Sequence, residues 1–142
     1  MTNSDNAVVD VMEIATMKKT PQVLDIVERT FRLAIRVVKL VNSTPRTIAG
    51  DVFARQVMRS GSSIGANVEE AQGSRSKREF IHKMTVARGE ARETLYWMRL
   101  AAESGLMPRT RMRAIIGETD EVVRIFTAIV KRSKGGDDGR EG

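Results

Sequence analysis

The sequence predicts an all-α fold, an antiparallel up-down-up-down four-helix bundle, and three observations predict it. Apolar residues recur three and four apart in four separate stretches, nothing alternates with period two over a useful length, and the segments between the stretches are short. Short connections favour antiparallel neighbours. The 142 residues suit one domain built around a single core.

The first stretch reads Leu24, Val27, Phe31, Ala34, Val38, Val41. It ends at NSTPR, where Thr44 and Pro45 are suited to be cap and first residue of the next helix. The second stretch is Ala49, Phe53, Val57, Ser60, Ile64, Val68, Ala71. Ser60 to Ala66 has a loop-like composition, yet the apolar phase runs through it unbroken, so it is read as helix. Gly61 and Gly65 each cost about 1 kcal/mol there relative to alanine. The compensation expected is close approach of a neighbouring backbone, within or between subunits.

The third stretch is Phe80, Met84, Ala87, Ala91, Leu95, Met98, Ala102. Ser76-Lys77-Arg78-Glu79 opens it as a capping box, and Gly105 stands where it should stop. The fourth is Met112, Ile115, Thr119, Val122, Phe126, Ile129, with Pro108 suited to its first turn. The bundle is thus expected over residues 21–134. Residues 1–20 form an N-terminal extension, either a short helical turn around Val8, Val11, Met12 and Ala15 or a segment without fixed structure. Residues 135–142, GGDDGREG, read as a flexible tail.

Composition excludes several chemistries. There is no cysteine, hence no disulfide, thiolate nucleophile or Cys-based zinc site, and the single histidine, His82, rules out a His-rich metal site within one subunit. Residues 1–17 lack the basic start and apolar run of a signal peptide, and no segment has the roughly 18–20 apolar residues needed to span a bilayer. A cytoplasmic protein with no membrane partner is expected. No paired acid and base or activated nucleophile is evident, so no enzyme and no cofactor is expected.

Charge points elsewhere. Both ends are acidic, so residues 21–134 carry 21 basic and 12 acidic side chains, a body of +9 against +6 overall. Of the 24 basic residues, 17 are arginine, whose planar fork suits phosphate. On the third helix Arg88, Arg92, Tyr96 and Arg99 fall within an arc of roughly 80°, away from the apolar stripe. Arginines interleaved with an aromatic can pair phosphates and stack an exposed base; a solvated face or a subunit interface would use the same residues. Arg29, Arg32, Arg36 and Lys39 line the first helix opposite its apolar stripe, with Asp25 placed to pair with Arg29. Arg109, Arg111 and Arg113 crowd the start of the fourth helix, where cations are disfavoured by roughly 0.3–1 kcal/mol each. A bound polyanion, or the negative C-terminal end of the third helix, would offset them.

Two further sets are structural in character. Asn67 falls inside the apolar stripe of the second helix, where a buried amide must find partners. Glu70 is placed to reach Arg78 or Lys83, which gives a polar network of Asn67, Glu70, Arg78 and Lys83. Val86, Trp97 and Leu100 form a second apolar strip on the third helix beside the core stripe; either a partner subunit covers it, or the third helix is the most central of the four. Glu79-Phe80-Ile81-His82 has the wording of a di-iron bundle ligand pair, but such sites need two of these motifs and two more glutamates, and here Glu79 is taken up by capping. No metal is expected.

The wording from Ser60 to Arg99 resembles the bacterial four-helix-bundle proteins encoded in intervening sequences of 23S rRNA. Ser63-Ile64-Gly65-Ala66-Asn67-Val68-Glu69-Glu70 is similar to the family's close of the second helix, and Ser76-Lys77-Arg78-Glu79-Phe80 to its opening of the third. GEARETLYWMRL resembles the wording of one branch, although Arg88-Gly89 stands where Leu-Lys is common. Ala71-Gln72-Gly73-Ser74 replaces a Gly-x-Gly-Arg turn found in some members. The resemblance implies a small helical bundle, commonly a homopentameric ring with a basic surface and no established catalysis. It also implies kinship with accessory proteins of diversity-generating retroelements, which partner a reverse transcriptase and bind nucleic acid. The expected function is therefore non-enzymatic binding of RNA or other nucleic acid through Arg88, Arg92, Arg99 and the Arg109–Arg113 cluster, with Tyr96 stacking. The alternative is an adaptor that docks a reverse transcriptase or another protein on the same basic face.

Overall fold

A computed structural model describes residues 12–138, apart from the side chains of Leu24 and residues 136–138. Among the described residues every regular element is helical. A short α1 covers residues 12–18, followed by α2 (Pro21–Asn42), α3 (Ile48–Gln72), α4 (Lys77–Glu103) and α5 (Arg109–Asp138). Helix α3 packs on α4, α4 on α5, and α2 on both α3 and α5, so the four long helices form a bundle around one core. Phe80, Phe126, Ile26, Leu33, Ile64 and Met84 are its largest sealed side chains. Burial of each contributes roughly 1.5–3 kcal/mol.

The apolar stripes of α3, α4 and α5 face the core close to the expected phase. All six residues named for α5 are buried; Ala49 of α3 is exposed and Leu95 of α4 is half-buried. Helix α2 departs. Its buried face is Val23, Ile26, Thr30, Leu33, Val37 and Leu40, each one residue before the member of the expected stripe, a rotation of about 100°. Phe31 and Val38, expected inside, are 60% and 40% exposed. The helix is apolar on both arcs, and Thr30 disguises the true one. Its hydroxyl is satisfied by donating to the Ile26 carbonyl at 2.7 Å, so it sits in the core without penalty.

Caps fix the ends. Thr20 caps α2, its hydroxyl accepting from the Val23 N–H at 3.3 Å ahead of Pro21. Thr47, not Thr44, caps α3 by accepting from the Gly50 N–H at 3.0 Å. Thr44 instead closes α2, its buried hydroxyl donating to the Leu40 carbonyl at 2.9 Å. Gly50 is required there, because a Cβ would lie 1.9 Å from the Pro45 carbonyl oxygen. Ser76 caps α4, accepting from the Glu79 N–H at 3.1 Å, while the Glu79 carboxylate reaches back to the Arg75 N–H rather than that of Ser76. Gly105, at φ +80°, turns the chain after α4, and Pro108 immediately precedes α5 with its carbonyl accepting the Met112 N–H.

The glycines of α3 explain its loop-like stretch. A Cβ on Gly61 would come within 2.9 Å of Val37 Cγ2, and one on Gly65 within 3.3 Å of the Thr30 carbonyl oxygen. The close approach is therefore to α2 of the same chain. At the other end of the bundle, α1 docks beside the α3–α4 turn: Ile14 is buried in the core, Lys18 donates to the Ser74 carbonyl at 2.5 Å, and Glu13 pairs with Lys77 at 3.2 Å. Val8 and Val11, also named for this turn, lie outside the described residues. Helix α5 runs on to Asp138 through residues expected in the flexible tail.

Candidate nucleic-acid interface

Helix α4 is built as two faces. Met84, Ala87, Ala91, Thr94 and Met98 are buried, and the positions between them put Arg88, Arg92, Tyr96 and Arg99 along the seam with α5. These four do come together, on the α4 rim of a groove whose floor is Leu95 and Val123 and whose α5 rim carries Asp120 and Thr127. Arg88 and Thr127 are shared with a second hollow bordered by Lys131 and Lys134. The basic surface thus continues past Arg88 along α5. Sequence reasoning missed Lys131 and Lys134; Thr127 and Lys131 stand four apart and Lys134 three further on, the helical spacing that could have flagged them.

Arg99 is partly neutralised by Glu103 at 3.6 Å, and Asp120 is paired with Arg124 at 3.1 Å. Arg88 and Arg92 have no carboxylate partner among the described residues. Tyr96 is 60% exposed and meets Trp97 with ring centroids 5.3 Å apart at 74°. The groove therefore offers free guanidinium forks and an aromatic ring over an apolar floor, the groups that bind phosphates and bases.

The other basic clusters lie elsewhere. Arg109, Arg111 and Arg113 are exposed on the first turn of α5 and do not line this groove. Arg111 donates to the hydroxyl of Ser43, the C-cap of α2. Arg111 thus reaches the negative C-terminal end of α2, a helix end the sequence had not pointed to, in addition to the end of α4 that leads into α5. On α2, Arg29 is drawn into the seam with α5 by its hydrogen bond to Glu118, with Asp25 at 3.8 Å; the Glu118 bond holds its guanidinium above the ordinary pKa. Arg32 pairs with Glu28 at 3.0 Å.

Of the expected polar network in the α3–α4 seam, the Glu70–Lys83 pair forms, while Asn67 and Arg78 stand apart from it. Lys83 donates to Glu70 at 2.6 Å. Asn67 is half-buried and spends its amide on the Ser63 carbonyl of its own helix at 2.8 Å, and Arg78 is exposed. The buried polar contact here, unforeseen from sequence, is Thr94 donating to Ser60 at 2.8 Å, flanked by Arg59 between Glu90 and Glu93. Of the proposed interface strip, Val86 is half-buried, Trp97 packs on the core with its indole N–H buried and without an acceptor among the described residues, and Leu100 is 46% exposed. Ile48 and Val52 of α3 and Phe31, Ile35 and Val38 of α2 are further exposed apolar residues that sequence reasoning did not single out as surface.

Among the described residues no three His, Cys, Asp or Glu side chains gather to hold a metal, and no helix is long and apolar enough to cross a membrane. No curated protein matches the chain. A solved structure does: a protein of unknown function from the S23 ribosomal protein family of Bacteroides thetaiotaomicron VPI-5482 superposes with a TM-score of 0.69 at 29% identity, over 78% of this chain and 98% of that one. The model of the family described as 23S rRNA-intervening sequence protein matches residues 22–128, from the start of α2 to the last turns of α5. That match spans the groove from Arg88 to Thr127, and the chain belongs to the 23S rRNA-intervening sequence protein family.

Proposed function

We propose that this protein is a non-enzymatic, cytoplasmic, homo-oligomeric bundle that binds RNA or other nucleic acid through the α4–α5 groove. The observation that carries the reading is the alignment of Arg88, Arg92, Tyr96 and Arg99 on one rim, continued by Lys131 and Lys134. Phosphate contacts dominate such affinity. Unpaired Arg88 and Arg92 supply them at no cost in broken ion pairs.

An antiparallel up-down-up-down course of α2 to α5 is part of the proposal. Contact register supports it: Gly61 meets Val37 and Gly65 meets Thr30, while Arg59 pairs with Glu90 and Glu70 with Lys83. In each pair one number rises as the other falls. A ring of copies, with a pentamer favoured by family resemblance, is supported by the exposed apolar residues of α2, α3 and α4.

The test is binding of nucleic-acid-free protein to structured rRNA and to duplex DNA across a salt series. The expected result is submicromolar affinity falling along a straight log–log line, with a slope that counts the phosphate contacts. The double variant Arg88→Glu, Arg92→Glu should weaken binding and flatten that slope while leaving assembly intact. Unchanged affinity in the folded variant would remove this groove from consideration. Absence of binding at low salt would reassign the same face to a protein partner, such as a reverse transcriptase.

A further inference from the structure

We infer that the α4–α5 groove takes a single nucleic-acid strand with an unstacked base on Tyr96, in preference to a duplex; this rests on the nucleic-acid reading of the groove given above. Three observations carry it. First, the cations between Arg92 and Arg99 stand on the α4 rim alone. The facing α5 rim presents Asp120, a carboxylate already shared with Arg124. A duplex brings phosphates along both edges of its groove and calls for cations on both rims. Here a second backbone would run beside Asp120, which takes up Arg124 and leaves no unpaired cation on that stretch of α5, whereas one backbone can follow the arginines.

Second, the space between the rims is floored by Leu95 and Val123. Apolar side chains there suit the faces of bases turned away from their backbone and leave phosphates unsatisfied. The Asp120 oxygens can accept from the exocyclic amino group of such a base, which in a duplex is occupied by its pair.

Third, the aromatic is placed for stacking. At 74° to the indole, Tyr96 is not stacked on Trp97, and at 60% exposure its ring is open to solvent. That ring is available only to a base splayed out of its helix. From Arg88 to Arg99 the rim rises about 16 Å, at 1.5 Å per residue, the length of a few nucleotides. Tyr96 stands between Arg92 and Arg99 on that line, so phosphates held on either side would present the intervening base to the ring.

The test uses the full chain and three fluorescently labelled probes in anisotropy titrations: a 12-nucleotide uridine strand, a 12-nucleotide adenosine strand and a blunt 12-base-pair RNA duplex. The single strands should bind at least tenfold more tightly than the duplex. Tyr96→Ala should weaken single-strand binding about tenfold, within the range typical of losing one base–aromatic stack, and leave the salt slope unchanged. Tyr96→Phe, which keeps the ring, should bind as the parent does. Duplex affinity equal to or above that of the strands, or single-strand affinity indifferent to Tyr96→Ala, would overturn the inference while leaving the groove a phosphate-binding surface. Failure of all three probes to bind at low salt would overturn the underlying reading as well.

Discussion

Replacing glycine with alanine at two places in this bundle should have opposite effects, and the difference measures how closely α2 and α3 approach. Gly89 lies on the exposed side of α4, with nothing within 4 Å of an added Cβ. Gly89→Ala therefore collects the helix-propensity gain alone, about 1 kcal/mol. Gly61 is buried in α3, and its Cβ would come 2.9 and 3.0 Å from the two γ-carbons of Val37. Val37 is fully buried and β-branched, so it has one favoured rotamer in its helix and cannot swing aside. The helices must separate instead, and overpacking of this kind costs about 1–3 kcal/mol. After the same propensity gain, Gly61→Ala should end neutral to about 2 kcal/mol less stable than the parent. The two variants should then differ by about 2 kcal/mol, or roughly 6–8 °C in Tm for a chain of this length. Thermal unfolding followed by circular dichroism, at one protein concentration for all samples, reads this directly. Equal stabilisation by both substitutions would refute the close packing of α2 on α3.

Other substitutions test other contacts. Gly50→Ala should be more damaging than Gly61→Ala, because the obstructing atom is the Pro45 carbonyl oxygen at 1.9 Å, part of the backbone; chemical denaturation should show the larger fall in midpoint. Ser60→Ala should cost about 1 kcal/mol by removing the hydroxyl–hydroxyl hydrogen bond to Thr94 across the α3–α4 seam, and a second change, Thr94→Val, should add less than its cost alone in a double-mutant cycle. Phe31→Ser combined with Val38→Ser should keep the helical circular dichroism and lower the mass seen by light scattering, since both residues are exposed and outside the core; an unchanged mass would exclude this face from assembly. Thr47→Ala should destabilise by about 1 kcal/mol through loss of the α3 cap, while Thr44→Ala should act through the end of α2 instead.

Most of the bundle was legible in the chain because the longest apolar stripe of α3, of α4 and of α5 is also the one that faces the core. Phe53, Val57, Ile64 and Val68, or Met112, Ile115, Val122 and Phe126, leave little choice of face. Helix α2 has two apolar arcs one residue apart, and periodicity alone cannot choose between Leu33–Val37 and Ala34–Val38. The packing decides, because Gly61 and Gly65 clear space on α3 for Val37 and Thr30. Cap position was misread because Thr44-Pro45 and Thr47 both have helix-start chemistry, and only their hydrogen bonds separate them: Thr44 is spent on the Leu40 carbonyl and Thr47 accepts from the Gly50 N–H. The groove was legible on its α4 side, where four residues sit on one helix face. Its α5 side was not, since Asp120, Val123, Lys131 and Lys134 join it only through the way two helices are laid together.

The docking of α1 ties the head of the chain to a turn some sixty residues away. Lys18 holds the Ser74 carbonyl, Glu13 holds Lys77, and Ile14 fills the core beneath. The α3–α4 turn, which its composition marks as a place where protection from solvent exchange should be lowest, is therefore clamped by an element that precedes the family match. Opening of that turn and release of α1 become one event, so amide hydrogens near Ser74 and those of residues 14–18 should exchange together, as a single cooperative unit.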